Sequence, residues 1–294
     1  MKRILYLECN SGISGDMTVG ALLDLGADKE KLVRALEASG IGGYHLHFGR
    51  TKKCGIDAYD FDVHLEGEEA EHAHSHHRHE TAHDQTEEAA HGHHHHHGGH
   101  GHEECGHEEH RHEEHGHGEH GHIHRNLNDV KEILKKIPMG DEARARAERV
   151  FEIVAQAEAK AHGIPVEEVH FHEVGAIDSI IDIAGFALCM EDIQADEILV
   201  SPLTEGWGTA RCQHGEIPVP VPAVANIAGA YGLPIHFTQT KGEMITPTGA
   251  AIAAELYSGK KLEGNYKIKK IGIGAGKKDF PHANILRAML LESV

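Results

Sequence analysis

The chain of 294 residues has few cysteines, and their spacing is not that of a protein stabilised by disulfides or by cysteine-bound zinc. The five cysteines are scattered and form no CxxC pair, which argues against a disulfide framework and against a zinc knuckle. Long apolar runs are also missing, since none approaches the roughly 20 residues that a membrane helix needs. The N-terminus turns acidic at Glu8, too soon for a signal peptide, so we expect a cytoplasmic protein with no membrane span.

Basic residues are scarce. The chain has 28 Lys and Arg against 47 Asp and Glu, for a formal net charge of -19. Residues 66–124 hold 15 acidic residues and two arginines and so carry -13 of that charge, which leaves -6 for the rest. This balance argues against binding of nucleic acid through a basic surface.

Residues 69–124 are of low complexity, and 22 histidines lie between His72 and His124. With few apolar residues to bury, the stretch cannot offset its ordering entropy, so we expect a disordered insertion. Imidazoles at this density bind nickel, copper, zinc and cobalt, and protonation near pH about 6.5 would release the metal. A solvating spacer is the alternative, but histidine is a poor choice for that role. The densest predicted metal ligands are His93, His94, His95, His96 and His97.

Imidazole and carboxylate side chains are dense between positions 170 and 182. If His170 and His172 end a strand, both imidazoles leave on one face, about 6–7 Å apart. Glu173 follows directly, and Asp178 and Asp182 share one face of the next helix. The group suits a borderline metal or an acid/base site. The alternative is a pair of structural histidines before a helix whose acids suit its dipole.

A buried strand at residues 4–7 runs into a turn rich in Gly and Ser, and a helix starts near Asp16. Free N–H groups and the positive helix end make this geometry suitable for an anion. The alternative is that Ser14 and Asp16 only cap the helix. We predict that five residues of this turn bind a substrate phosphate: Ser11, Gly12, Ser14, Gly15 and Asp16.

A second Gly-rich segment, residues 272–279, contains Lys277 and Lys278 and lies between two predicted strands. We predict that both lysines contact phosphate, and a hairpin with bulges is the alternative. Thr246 and Thr248 either cap a helix or hold an anion at its N-terminus.

Two further groups of polar residues stay ambiguous. Residues 204–215 are predicted to form a long loop, in which Cys212 and His214 are soft ligands, an acid/base pair or packing residues. The alternation at residues 44–48 and 56–65 predicts a β-hairpin. On it we interpret His45 and His47 as the polar face of a strand rather than as ligands.

The order of strand and helix patterns predicts an α/β fold, a compact domain of mixed sheet and helices. Residues 1–68 form its first part, residues 69–124 a disordered metal-binding insertion, and residues 125–294 the remainder. The Gly-rich turns and the histidine–carboxylate group favour an enzyme over a passive metal buffer.

Taken together, the motifs resemble the LarC family of nickel insertion proteins. They occur in family order over nearly the whole chain, interrupted only by the His-rich insertion. The matching segments are Glu8–Met17, His170–Ser179, Gly206–Gly215 with Pro218–Pro220, Thr246–Ala251, and Gly274–Gly276 with Asn284–Arg287.

The resemblance implies a lyase-type metal chelatase. Its substrate is a pyridinium mononucleotide with two thiocarboxylates, into which Ni(II) is inserted with a nickel–carbon bond to the ring. The product is the nickel-pincer cofactor, and a lactate racemase-type apoenzyme is its recipient. The family uses CTP, hydrolysed to CMP and pyrophosphate, with Mn²⁺ or Mg²⁺.

Given this resemblance, we assign hypothetical roles to individual residues. His170, His172 and Glu173 would hold nickel during transfer, and the His-rich stretch would store it. The catalytic residues would be His172, Glu173 and Asp178, one of which removes the ring proton. Family members continue past Arg287 into a CTP-binding domain, which we expect to be absent here and supplied separately. A nickel chaperone or store without catalysis is the alternative function.

Overall fold

The computed structural model describes most of the chain outside the His-rich insertion. Three predicted metal ligands, His170, His172 and Glu173, lie outside the described residues, as does the run of histidines at positions 93–97. The described residues are 2–66, 125–169, 171, 177–212 and 215–294.

The described residues form seven α-helices and one short 3₁₀ helix at Val166–Glu168. The helices are α1 (Gly15–Leu25), α2 (Lys29–Ala38), α3 (Leu127–Lys136), α4 (Asp141–His162), α5 (Ile177–Ile193), α6 (Pro222–Tyr231) and α7 (Pro247–Leu256).

Ten strands lie in the described part of the chain, and six of them form the central sheet in the order β2-β3-β9-β10-β1-β4. Strand β1 pairs antiparallel with β10 and parallel with β4, so the sheet is mixed. Two small sheets, β5-β8 and β6-β7, complete the set. The strands are β1 (Arg3–Glu8), β2 (Tyr44–Lys53), β3 (Ile56–Leu65), β4 (Glu197–Val200), β5 (Leu203–Trp207), β6 (Thr209–Cys212), β7 (Gly215–Pro218), β8 (Ile235–Lys241), β9 (Tyr266–Ala275) and β10 (Ile285–Ser293).

Helix α1 is buried on nearly every side, because it packs on β9 and β3 and also on α5. Two glycines of β9 allow this close approach. A β-carbon on Gly274 would lie 1.9 Å from Met17 O, and one on Gly272 would lie 2.1 Å from Ala21 O. The main hydrophobic core lies around α1, α4 and α5 and includes Leu5 and Leu7 of β1.

The predicted mixed α/β fold is confirmed, and so is the hairpin, which β2 and β3 form. The prediction of a long loop at residues 204–215 is wrong, since β5 and β6 occupy most of it and Cys212 ends β6. The predicted Gly-rich loop at 272–279 is partly wrong as well. Residues 272–275 belong to β9, where two of the glycines serve helix packing, and the loop with both lysines begins after Ala275.

Candidate functional site

A cavity of about 360 Å³ lies where the N-terminal turns of three helices, α1, α5 and α7, come together. The segment after β9 and the turn at residues 243–244 complete its walls. A volume of this size is within the range of small-molecule sites, about 300–1,000 Å³. Because helix N-termini present free N–H groups and partial positive charge, three of them around one cavity favour an anionic ligand.

Ser14 determines where α1 begins. Its backbone is extended, and its Oγ accepts a hydrogen bond from Met17 N at 3.4 Å and donates to Asp16 Oδ1. Gly15 follows, and a β-carbon at this position would lie 2.4 Å from Asp182 Oδ2. The Ser-Gly-Asp sequence therefore places the first turn of α1 directly against a carboxyl group of α5.

The turn that precedes α1 is held by backbone contacts. Ile13 N donates to Met244 O at 3.0 Å, and Thr246 N donates to Ile13 O at 3.1 Å. Gly12 has φ +90°, and a β-carbon on it would lie 2.0 Å from Met244 O, so only glycine fits there. Neither Ser11 nor Gly12 lines the cavity.

Helix α7 starts at a fixed position relative to α1. Thr246 caps it by accepting a hydrogen bond from Gly249 N at 3.1 Å, and Pro247 takes the first helical position. A β-carbon on Gly249 would lie 2.1 Å from Ile13 O, so the two helix starts are in backbone contact. Helix capping and anion binding are the two roles considered for Thr246 from the sequence, and the structure shows the helix cap.

Three aspartates line the cavity: Asp16 of α1, and Asp178 and Asp182 of α5. Burial raises the pKa of Asp182 well above its usual value, and the charges of Asp16 and Asp178 raise it further. Burial also raises the pKa of Asp16, partly offset by the hydrogen bond from Ser14 and the charge of Lys277. Carboxyl groups with raised pKa in a cavity are suited to proton transfer.

Lys277 supplies positive charge beside these carboxyl groups, and its Nζ lies 2.5 Å from Asp62 Oδ1. Burial lowers the pKa of Lys277. The hydrogen bond to Asp62 and the charges of Asp16 and Asp182 outweigh burial, so the pKa is raised. Lys277 therefore stays protonated and connects the cavity to β3.

Asn284 holds the segment that carries the two lysines. Its Nδ2 donates to Lys278 O at 2.9 Å, and its backbone O accepts from Gly276 N at 2.9 Å. A β-carbon on Gly276 would lie 2.4 Å from Asn284 Nδ2, so this turn also needs glycine. Lys278 Nζ lies 2.8 Å from Glu243 Oε2 at the edge of the cavity.

Glu205 supports the cavity from inside the protein. It is fully buried, and its Oε1 accepts hydrogen bonds from Met244 N at 2.7 Å and from Gly206 N at 2.8 Å. Burial raises the pKa of this carboxyl group, against those backbone hydrogen bonds. Glu205 thus holds the turn at Met244, which forms part of the wall. Sequence reasoning did not select this residue, because a single Glu in a strand gives no signal of burial.

The cavity brings together six of the residues predicted from the sequence, and it adds Asp182 to them. Ser11 and Gly12 lie in the preceding turn instead. Asp182 was grouped with Asp178 from the sequence by its spacing of four, but no role was assigned to it. The six predicted residues are Ser14, Gly15, Asp16, Asp178, Lys277 and Lys278.

One backbone bridge joins two described residues that are adjacent in sequence to predicted metal-binding segments. Arg125 and Phe171 pair as an isolated antiparallel bridge, with Phe171 N donating to Arg125 O at 3.0 Å. The Phe171 side chain is buried against Phe151, with ring centroids 6.1 Å apart. In sequence, Arg125 follows the His-rich insertion directly, and Phe171 lies between two of the predicted nickel ligands, His170 and His172.

In the described ranges, no three His, Cys, Asp or Glu side chains are arranged to hold a metal ion as they stand. None of the helices in those ranges has both the length and the apolar character needed to cross a membrane.

The fold and cavity define a mixed α/β protein with a cavity of small-molecule size, which is lined by the N-terminal turns of three helices and by carboxyl groups of raised pKa. Residues 5–294 match the family described as nickel insertion protein, and the chain belongs to that family.

Three relatives illustrate the similarity, and each is named pyridinium-3,5-bisthiocarboxylic acid mononucleotide nickel insertion protein. The chain is 49% identical to the protein of Alkaliphilus metalliredigens over 292 residues, which cover 99% of this chain and 61% of the relative. It is 41% identical to that of Clostridium acetobutylicum over 99% of the chain and 64% of the relative. It is 37% identical to that of Geobacillus kaustophilus over 99% of the chain and 60% of the relative. The chain thus spans less than two thirds of the length of these relatives. No solved structure matches it significantly.

Proposed function

We propose that this chain is the nickel- and substrate-binding part of an enzyme that inserts Ni²⁺ into pyridinium-3,5-bisthiocarboxylic acid mononucleotide, the compound in the relatives' names. The observation that carries the proposal is the cavity, where three helix N-termini and two lysines lie beside aspartates with raised pKa. The phosphate of the substrate matches the helix N-termini and the lysines, and its ring C–H proton needs an acceptor such as one of these carboxyl groups.

The phosphate binds at the helix ends. The first turns of α1 and α7 present N–H groups at Gly15 and Thr248, and Lys277 and Lys278 add charge. Lys278 is half-exposed and paired with Glu243, so an incoming phosphate can take Glu243's place as its partner. Lys277 stays paired with Asp62 and donates another N–H of its ammonium group to the phosphate.

The aspartates serve the chemical step. Nickel binds to two sulfur atoms, the ring C–H bond breaks, its electron pair forms the nickel–carbon bond, and the proton leaves. A carboxylate within reach accepts that proton. Asp178, predicted from the sequence together with His172 and Glu173, lines the cavity, and Asp182 beside it is a further acceptor with a raised pKa.

Nickel delivery is assigned to residues outside the described ranges. We place the ion on His170, His172 and Glu173 during transfer, with the run at positions 93–97 as part of the store. The support is twofold: imidazole and carboxylate suit Ni²⁺, and the bridge between Arg125 and Phe171 fixes the backbone next to both sequence segments.

The family resemblance also implies CTP with Mn²⁺ or Mg²⁺. Among the described residues, no three His, Cys, Asp or Glu side chains are placed to hold that divalent ion, and the sequence contains no Walker motif for a triphosphate. We therefore assign no residue of this chain to CTP and expect it to bind to the part of the relatives outside the match. The product would then pass to a lactate racemase-type apoenzyme. A nickel store without catalysis is the less supported alternative, since the relatives are named for insertion.

The test is mass-spectrometric detection of nickel in the mononucleotide after incubation with Ni²⁺, CTP and Mn²⁺. The reaction is run with this chain alone and with the remaining region of a relative added as a separate chain. Product in either reaction supports the proposal, and product only in the second shows that the two parts act together. Nickel binding without product in both reactions would overturn it in favour of a store.

Two variants sharpen the test. His172→Ala is expected to abolish product while the His-rich insertion still binds nickel. A chain without residues 69–124 is expected to keep turnover when Ni²⁺ is plentiful, because the insertion stores the ion and takes no part in the chemical step. Loss of all turnover at high Ni²⁺ in that chain would contradict the division of roles.

A further inference from the structure

The solvent face of the β2–β3 hairpin carries three histidines and one aspartate at the corners of a rectangle. In the strand register, His45 lies opposite His64, and His47 lies opposite Asp62. Residues two apart on one strand are about 6–7 Å apart, and β-carbons directly opposite each other are about 4.5–5.5 Å apart. Four possible metal ligands therefore project from neighbouring positions on one face of the hairpin. The sequence spacing of His45 and His47 did not show this arrangement, because it depends on the strand register.

The three histidines of this face are largely exposed to solvent, whereas Asp62 is partly buried beside Lys277. The side chains of His45, His47 and His64 are 68%, 48% and 51% exposed, and Asp62 is 23% exposed. The other face of the hairpin enters the core through residues such as Phe61. The fold therefore does not require three imidazoles on this solvent-facing pair of strands, and metal binding is a role that would account for them.

The imidazoles are held only loosely in their present positions. The rings of His47 and His64 are 6.0 Å apart at their centroids and nearly perpendicular. Exposed pairs at such distances contribute little stability, so the side chains can turn toward one another at little cost. Each imidazole faces a carboxylate, with Nε2–O distances of 3.6 Å for His45–Glu66, 3.6 Å for His47–Asp60 and 3.5 Å for His64–Asp62.

We infer that His45, His47, His64 and Asp62 form a second metal site, which closes around a divalent ion when His45 turns away from Glu66 and His47 turns away from Asp60. Three imidazoles and one carboxylate suit nickel, zinc, copper and other first-row ions of this class. The choice of Ni²⁺ among them rests on the proposed function, whereas the site itself rests on the register and exposure of these four residues.

The proposed metal site has two neighbours. In sequence it comes shortly before the His-rich insertion, and in space it contacts the wall of the cavity. Glu66 is the last described residue before the His-rich insertion. Asp62 presents Oδ2 to His64, while its Oδ1 is bonded to Lys277 of the cavity wall. Asp62 can therefore bind a metal through Oδ2 and keep its contact with Lys277. These contacts make the hairpin a staging site for an ion on its way to the cavity.

The test is to label histidines in the full chain with diethylpyrocarbonate, with and without Ni²⁺ alone in excess over all histidines. The reagent needs the same imidazole lone pair as the metal, and tandem mass spectrometry locates each label. Labelling of His45, His47 and His64 is expected to slow about fivefold or more with Ni²⁺. The internal control is the exposed His236, whose labelling is expected to change little.

Two variants separate this site from binding by the insertion. In His64→Gln, protection of His45 and His47 is expected to fall to the level of His236. In Glu66→Gln, which removes only a carboxylate, protection is expected to persist.

Unchanged labelling of the three histidines in the unmodified chain would overturn the inference. Full protection of His45 and His47 in His64→Gln would do so as well, because other histidines would then supply the ligands. The readout does not involve product, so an inactive cavity would leave the result intact.

Discussion

Gly15 and Asp182 lie closer together than any side chain at position 15 would allow, since a β-carbon there would be 2.4 Å from Asp182 Oδ2 and 2.8 Å from Asp182 Cβ. The first turn of α1 therefore rests on a carboxyl group whose pKa burial raises well above its usual value. The packing of α1 against α5 and the environment of the Asp182 carboxyl group therefore depend on the same contact.

Replacing Gly15 by Ala should force α1 and α5 apart. Overpacking of this kind lowers the free energy of unfolding by about 1–3 kcal/mol, and urea unfolding measures the change. Displacement of Asp182 should also reduce nickel insertion. The matched control is Gly229→Ala on the exposed surface of α6, where no atom lies within 4 Å of the added carbon. That variant should gain up to about 1 kcal/mol, because alanine has the higher helix propensity. A stabilised Gly15→Ala would show that the contact is not present in solution.

Asp182→Asn should be more stable than the unmodified chain at neutral pH but inactive. Because the pKa of Asp182 is raised on folding, the folded state binds this proton more tightly than the unfolded state. The group favours folding most below its unfolded pKa of 3.8, and that contribution is lost as pH rises toward the higher folded pKa.

The advantage of Asp182→Asn should therefore grow from near zero at pH 4 and level off above the folded pKa. Unfolding midpoints in urea across this pH series measure the difference. Glu263→Gln, at an exposed position, is the control and should follow the unmodified chain. A variant less stable at pH 8 than the unmodified chain would show that the charge of Asp182 is well compensated.

Lys277→Gln should weaken substrate binding more than it weakens the fold. A hydrogen bond to a charged group contributes about 1.5–3 kcal/mol of binding free energy. Loss of the bond from Lys277 to the phosphate should therefore lower the affinity for the mononucleotide roughly tenfold to hundredfold. Calorimetric titration with the mononucleotide in the absence of nickel measures this loss. Lys269→Gln removes an equivalent charge that pairs with Glu292 on the central sheet, and should leave affinity unchanged. Equal effects of the two variants would mean that only net charge matters.

Local sequence signals predicted the parts of the site that lie within one turn of each other. The strand, turn and helix around Ser14 and the spacing of Asp178 and Asp182 follow from short-range periodicity and turn chemistry. The pairing of Lys277 with Asp62 could not be predicted, because it joins residues far apart in the chain and depends on how β3 and β9 are placed in the sheet.

Glycines were the main source of error. At Gly272 and Gly274 a Gly-rich segment before two lysines has the composition of a phosphate loop, yet these residues admit the backbone of α1. Composition alone does not distinguish a glycine that contacts a ligand from one that contacts a helix. The alternation of polar residues predicts the solvent face of the β2–β3 hairpin, but only the strand register shows that His45 and His47 lie opposite His64 and Asp62.

Thr246 provides a test of whether the start of α7 itself binds substrate. Thr246→Ala removes the cap and should cost about 1 kcal/mol of unfolding free energy, while Thr246→Ser should restore it. The uncapped first turn would hold its N–H groups less rigidly, so affinity for the mononucleotide should fall as well. The matched control is Asp28→Ala at the cap of α2, where Oδ1 accepts from Lys31 N at 2.9 Å and no cavity residue is involved. Both variants should lose similar stability in urea, but only Thr246→Ala should lose affinity. Equal affinities in the two variants would mean that the phosphate relies on α1 and the lysines alone, because a loosened α7 would then leave its binding unchanged.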